Sequence, residues 1–197
     1  VSFGSEEYYG NQITFDNNPL YLDANGITIK AREWAEVGDV GTINGVDYTV
    51  VDLVTLEDMI DNNEDVTKVC TSKISDMTDL LRSNFNQNIN SWDVSNVTDM
   101  TRLLAGNDTF NQDISAWDVS NVTNMIVMFR DCTAFNQDLS VWDVSSVTDM
   151  REMFRDCTAF NQVLSVWDVS NVSLCSAFSQ NATSWVLPQP NFTLCNP

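Results

Sequence analysis

Trp92-Asp93-Val94-Ser95-Asn96-Val97-Thr98-Asp99-Met100 is spelled again, with small changes, from Trp117, Trp142 and Trp167. Phe85-Asn86-Gln87 likewise returns as Phe110-Asn111-Gln112, Phe135-Asn136-Gln137 and Phe160-Asn161-Gln162, a period of 25 residues. A fixed period in this range marks an array in which each unit buries its apolar edge only against its neighbours. Apolar residues recur at 89, 92, 94, 97, 100, 103 and 104 and again 25 later. Ile89-x-x-Trp92-x-Val94 has the spacing of a leucine-rich-repeat strand, and the following three-residue steps suit a turn of helix packed back on it. The expected fold is therefore a right-handed repeat solenoid of four to five rungs, leucine-rich-repeat-like, with a strand plus a short helix per 25-residue rung.

The flanks deviate from the period. Val66, Val69, Ile74, Met77, Leu80 and Leu81 fit the repeat at a shift of 23, which predicts a degenerate first rung. Upstream, residues 1–52 read as an N-terminal β-hairpin segment, with Leu20-Tyr21-Leu22 facing Ile27-Thr28-Ile29 and a second hairpin turning at Asn44-Gly45. Thr55 is a plausible N-cap for an amphipathic capping helix within 53–65. Residues 66–170 form the repeats. Residues 171–197 read as a C-terminal cap, because Pro188 and Pro190 end regular structure there.

Composition narrows the function. Nine Lys and Arg against 28 Asp and Glu give a net charge of −19, which disfavours nucleic acid and anionic membrane surfaces. Histidine is absent, which removes Ser-His-Asp and Cys-His catalysis and His-ligated zinc. Only carboxylate pairs remain as acid-base groups, and at this density of acids they arise by chance, so no enzyme is expected. No run of about 18 apolar residues occurs, so no membrane insertion is expected. A chain that starts at Val1 reads as a processed, secreted chain or a trimmed one, with the secreted reading preferred.

The phrase at residues 92–100, with the later Met-Phe and Phe-Asn-Gln, resembles the 25-residue units of BspA-like leucine-rich-repeat surface proteins, as in mycoplasmal lipoproteins and secreted bacterial and protist proteins. The resemblance covers about residues 20–197. It implies a surface or adhesive protein with varied partners, found extracellularly or at the cell surface. Protein or glycan surface partners, or copies of this chain, are then the expected ligands.

Five cysteines cannot all pair within one chain. Cys175 and Cys195, 20 residues apart in the cap, are the expected disulfide, worth about 3 kcal/mol in the chain-entropy model. Cys132 and Cys157 hold equivalent places on adjacent units, about 5 Å apart by strand spacing. They read either as a second disulfide or, preferably, as two buried thiols filling a small apolar slot.

Asp93, Asp118, Asp143 and Asp168 form an expected exposed acidic ladder. Such neighbours repel by roughly 1 kcal/mol in water, so either Ca²⁺ or hydrogen bonds from Ser95, Ser120, Ser145 and Ser170 should offset the repulsion. The hydrogen-bond reading is preferred, and no other cofactor is expected. Asn86, Asn111, Asn136 and Asn161 suggest a buried amide ladder, and Trp92, Trp117, Trp142 and Trp167 read as core rather than a sugar platform. Among six sequons, Asn107, Asn181 and Asn191 are the better glycan acceptors because they are not products of the repeat.

Two functions are compatible with these readings. One is a non-catalytic extracellular structural or adhesive module. The alternative is a self-assembling filament subunit joined through its solenoid ends and an N-terminal arm containing Phe3, Tyr8, Tyr9, Ile13 and Phe15.

Overall fold

The computed structural model describes residues 17–81 and 84–197. The residues of the expected N-terminal arm, Phe3 to Phe15, lie outside the described residues. Strand β1, Leu20–Leu22, pairs antiparallel with β2, Ile29–Ala31, in the register Leu20 to Ala31. Asn25 organises the loop between them, its Oδ1 accepting the amides of Ile27 and Thr28. Strand β3, Val40–Ile43, pairs antiparallel with β4, Val46–Val50. Asn44 and Gly45 turn that hairpin at φ of 52° and 81°, the two positive values that a tight primed turn requires. Strand β5, Val69–Cys70, adds to β4 in parallel.

Helix α1, Leu53–Asp61, follows β4. Its N-cap is Asp52, whose side chain accepts the Thr55 amide at 2.9 Å, so the cap lies three residues before the Thr55 expected from sequence. Leu56 is fully buried in the main core, and Leu53, Met59 and Ile60 pack against it.

The repeats correct the expected fold class. Among the described residues the regular structure is two small sheets and one helix, and the 25-residue units hold neither a strand nor a helix. The strand-plus-helix rung of a leucine-rich-repeat-like solenoid is not what the chain forms. Successive units meet instead at single parallel bridges, Asp76 with Asp99, Asp99 with Asn124, Asn124 with Asp149, and Asp149 with Leu174.

Turns replace both expected elements. Trp117 donates its amide to Ile114 and Val122 to Val119, closing three-residue turns where a strand was expected. In the next stretch Leu103, Ala105 and Asn107 donate to Met100, Arg102 and Leu104. Left-handed residues interrupt these turns at equivalent places, Arg102, Val127, Glu152 and Ala177, and again at Gly106, Asp131, Asp156 and Asn181. A left-handed residue every few positions cannot be accommodated in an α-helix.

Other amides form a ladder from unit to unit. Met100, Arg102, Leu104 and Gly106 donate to Asn124, Ile126, Met128 and Arg130 of the next unit. The pattern is repeated by Met125, Val127, Phe129 and Asp131, and once more by Met150, Glu152, Phe154 and Asp156. Thr98, Thr123, Thr148 and Ser173 donate the opposite way, to Ser75, Thr98, Thr123 and Thr148 of the preceding unit, so each junction carries several forward bonds and a backward one.

Side chains of equal rank stack inside this frame. Phe85, Phe110, Phe135 and Phe160 form one column, with successive ring centroids 6.5, 6.1 and 5.9 Å apart. The four repeat tryptophans are buried, and each indole N–H reaches back to an earlier carbonyl: Trp92 to Val66, Trp117 to Ile89, Trp142 to Ile114 and Trp167 to Leu139. The carbonyls of Ile89, Ile114 and Leu139 also accept the turn amides of Trp92, Trp117 and Trp142, so each indole fills a second lone pair on a carbonyl already used by a turn.

Candidate functional site

Each Asp-x-Ser of the repeat folds into a local hydrogen-bonded turn. Asp93 accepts the amide and hydroxyl of Ser95, and Asp118 those of Ser120. Asp143 and Asp168 accept the amides of Ser145 and Ser170. Hydrogen bonds from those serines, side chain and backbone, hold the carboxyls of Asp143 and Asp168 below the usual carboxylate range. Asp118, Asp143 and Asp168 are exposed, so three of the four expected ladder acids present a stripe to solvent.

Asp93 departs from the expected exposed ladder because it is buried at 3% exposure. The β1–β2 hairpin closes over it. Ser72 donates its hydroxyl to Asp93 at 2.5 Å, and the Lys30 ammonium stands 4.0 Å from Asp93 and 3.4 Å from Asp23. Burial alone would push the Lys30 ammonium down, but the carboxylates of Asp93 and Asp23 outweigh it and raise its pKa. Asp93 floors a polar cavity of about 390 Å³ whose walls include Tyr21, Lys30, Arg32, Lys73 and Asn96. The Arg32 guanidinium lies 5.6 Å from the centre of the Tyr21 ring. Three of the chain's nine cations therefore gather around one groove on an otherwise acidic protein. The sequence signal for it is only that Lys30, Arg32 and Lys73 lie outside the regular repeat, and their convergence depends on how the hairpin docks.

The five cysteines sort into two classes. Cys175 and Cys195 form a disulfide that ties the tail to the last unit. Cys132 and Cys157 are buried free thiols, not a second disulfide, and they donate to the carbonyls of Leu104 and Phe129 at 2.9 and 2.8 Å. Each sulfur bonds backward to a carbonyl rather than sideways to the other sulfur. Burial pushes the Cys157 thiol up to about 12 and Cys132 well above its ordinary value. Cys70 is a third buried thiol, donating to Ile29 beneath the hairpin.

Of the expected glycan acceptors, Asn107 is fully buried, with its amide nitrogen donating to Phe85 at 2.7 Å, which leaves that nitrogen inaccessible. Asn181 is exposed and donates to Asp156, and Asn191 is exposed. The Asn ladder lies nearer the surface than expected. Asn111 and Asn136 are exposed, and their side-chain oxygens accept the amides of Asn136 and Asn161. Gln137 and Gln162 donate to the same oxygens.

Among the described residues, no three His, Cys, Asp or Glu side chains converge closely enough to hold a metal ion. No described helix is long and apolar enough to cross a membrane.

A family model described as "Mycoplasma protein of unknown function, DUF285" matches residues 52–142 and 75–192. The chain belongs to the DUF285 family. The matched stretches take in α1, every repeat and most of the tail, so the stack of turns and the Asp-x-Ser stripe are parts of the DUF285 portion, and of the tail disulfide Cys175 lies inside it and Cys195 just beyond. The β1–β2 hairpin and its cations Lys30 and Arg32 precede it. No curated protein and no solved structure matches the chain.

Proposed function

We propose that this DUF285 chain is a non-catalytic structural or adhesive module that works outside the cell or on its surface. The observation that carries the reading is the division of each unit. Its Trp, Phe, Met and Cys are consumed by the core, whereas Asp118, Asp143 and Asp168 remain exposed with their geometry fixed by serine. Rigid polar groups repeated along one face suit recognition of an extended protein or glycan surface, because little side-chain freedom is lost on contact. The resemblance to BspA-like surface proteins, carried by residues 92–100, supports the same reading and belongs to this proposal.

The experiment is retention of the purified chain on immobilised host-surface glycans and extracellular proteins, with an Asp118→Ala/Asp143→Ala/Asp168→Ala variant as comparison. Retention that the triple variant loses, with its fold intact, supports the proposal. Equal retention of both forms, or none by either, contradicts it.

A further inference from the structure

We propose that the groove between the β1–β2 hairpin and the first repeat binds one acidic sugar residue, a ring that carries a carboxylate or sulfate beside hydroxyls. The floor of the groove is built from buried, mutually bonded groups. Asp93 and Ser72 are 3% and 8% exposed, and Ser72 accepts the Ala31 amide at 2.9 Å while donating to Asp93. The Lys30 ammonium offsets the Asp93 charge from 4.0 Å. The hairpin is pinned over them, with the Ile29 amide donating to the Ser91 carbonyl at 2.9 Å and the Cys70 thiol to the Ile29 carbonyl at 3.3 Å. Walls fixed in this way lose little freedom when a ligand enters. The equivalent Asp118, Asp143 and Asp168 are exposed and none of them lines the groove, so it is not a product of the repeat.

The rim holds the groups that remain open. Lys73 is exposed and, among the described residues, has no carboxylate within ion-pair distance; its ammonium stands 3.4 Å from the Glu33 carbonyl. By contrast Lys30, Lys68, Arg102, Arg130, Arg151 and Arg155 each have a carboxylate partner. The Asn96 amide nitrogen donates to the Ser72 carbonyl at 2.9 Å, and among the described residues nothing donates to its side-chain oxygen. The Tyr21 hydroxyl has no hydrogen-bond partner among the described residues, and its exposed ring forms one wall. An ammonium without a counter-ion calls for an anion, an open amide oxygen calls for a hydroxyl donor, and a phenol serves either. The ring of Tyr21 also offers apolar surface to the carbon face of a sugar. A volume of about 390 Å³ suits one sugar ring. The net charge of −19 disfavours a dense polyanion, so a single acidic residue fits better than a run of them. This inference does not depend on what the Asp stripe binds.

The test is an NMR titration of the full chain with free glucuronic acid, a glucose sulfate, glucose and acetate, each at millimolar concentration. The expected result is a saturable shift of resonances around Tyr21, Lys73 and Asn96 with at least one of the two acidic sugars, and the one that binds more tightly identifies the anion. Glucose and acetate bind at least about tenfold more weakly, because each lacks one of the two kinds of group that the rim receives. Lys73→Gln, at an exposed position, weakens acidic-sugar binding by about tenfold, and Lys73→Arg retains it. No saturable shift with either acidic sugar overturns the inference. So does acetate binding as tightly as the sugars, which would mark a plain anion contact, or glucose binding as tightly as its acidic forms. A Lys73→Gln variant that binds like the parent also overturns it.

Discussion

The indole N–H of Trp142 donates to the carbonyl of Ile114, 28 residues earlier, at 3.2 Å in the buried core. The bond ties one unit to its predecessor through a group that has no access to water. Trp142→Phe keeps most of the ring burial and leaves the Ile114 carbonyl with the Trp117 amide alone, which should cost about 0.5–1.5 kcal/mol. Trp142→Ala adds a cavity and should cost about 3–5 kcal/mol. Urea unfolding checks both values, and a phenylalanine variant as stable as the parent would show that the bond is dispensable.

Cys132 and Cys157 should be chemically silent in the native protein. An alkylating reagent at pH 8 is expected to leave Cys70, Cys132 and Cys157 unmodified until denaturant is added, when all three react. Rapid modification of the folded chain would contradict their burial.

The same thiols give the protein an alkaline limit. Burial raises Cys157 from 9.0 to about 12, so folding favours its protonated form. The resulting stability is complete below about pH 9 and is lost as pH rises toward 12. A Cys132→Ala/Cys157→Ala variant should lose less stability between pH 8 and pH 11 than the parent, as read from denaturation midpoints. Parallel pH curves for the two proteins would rule out this cause.

Asp143 should titrate below its ordinary value of 3.8 because of its bonds from Ser145. A depressed carboxylate contributes stability above that ordinary value and loses it as pH falls through the folded one. The contribution is small because Asp143 is exposed. Carboxyl NMR titration of Ser145→Ala should show the Asp143 midpoint moving upward, and calorimetry should show no calcium uptake at millimolar levels. An unchanged midpoint, or clear calcium binding, would restore the metal reading of the stripe.

The array and its apolar columns are legible in the sequence because burial follows a strict period: each repeat Trp, Met and Phe must meet its equivalent. The secondary structure within a unit is not. Met125 to Met128 advances by three residues, which suits a helical face and a succession of three-residue turns equally well. The choice is made by left-handed residues such as Val127 at φ 61°, which a β-branched residue adopts only under tertiary constraint. The strand reading at Asp118-Val119-Ser120 fails similarly, because the aspartate draws the serine amide into a local turn and removes it from a ladder. Asp93 and the groove above it depend on contacts between residues about 20 to 60 positions apart, such as Ser72 and Lys30 with Asp93, for which periodicity holds no signal.

The central claim is that amide ladders join the units and that the equivalent amides of Ala177, Ser179 and Asn181 find no acceptor among the described residues. Residue-resolved hydrogen exchange in dilute solution tests it most directly. Arg102, Leu104, Val127, Phe129, Glu152 and Phe154 should be strongly protected, while Ala177, Ser179 and Asn181 exchange rapidly despite occupying equivalent places. Equal protection of the last unit, or rapid exchange at the inner junctions, would contradict the account.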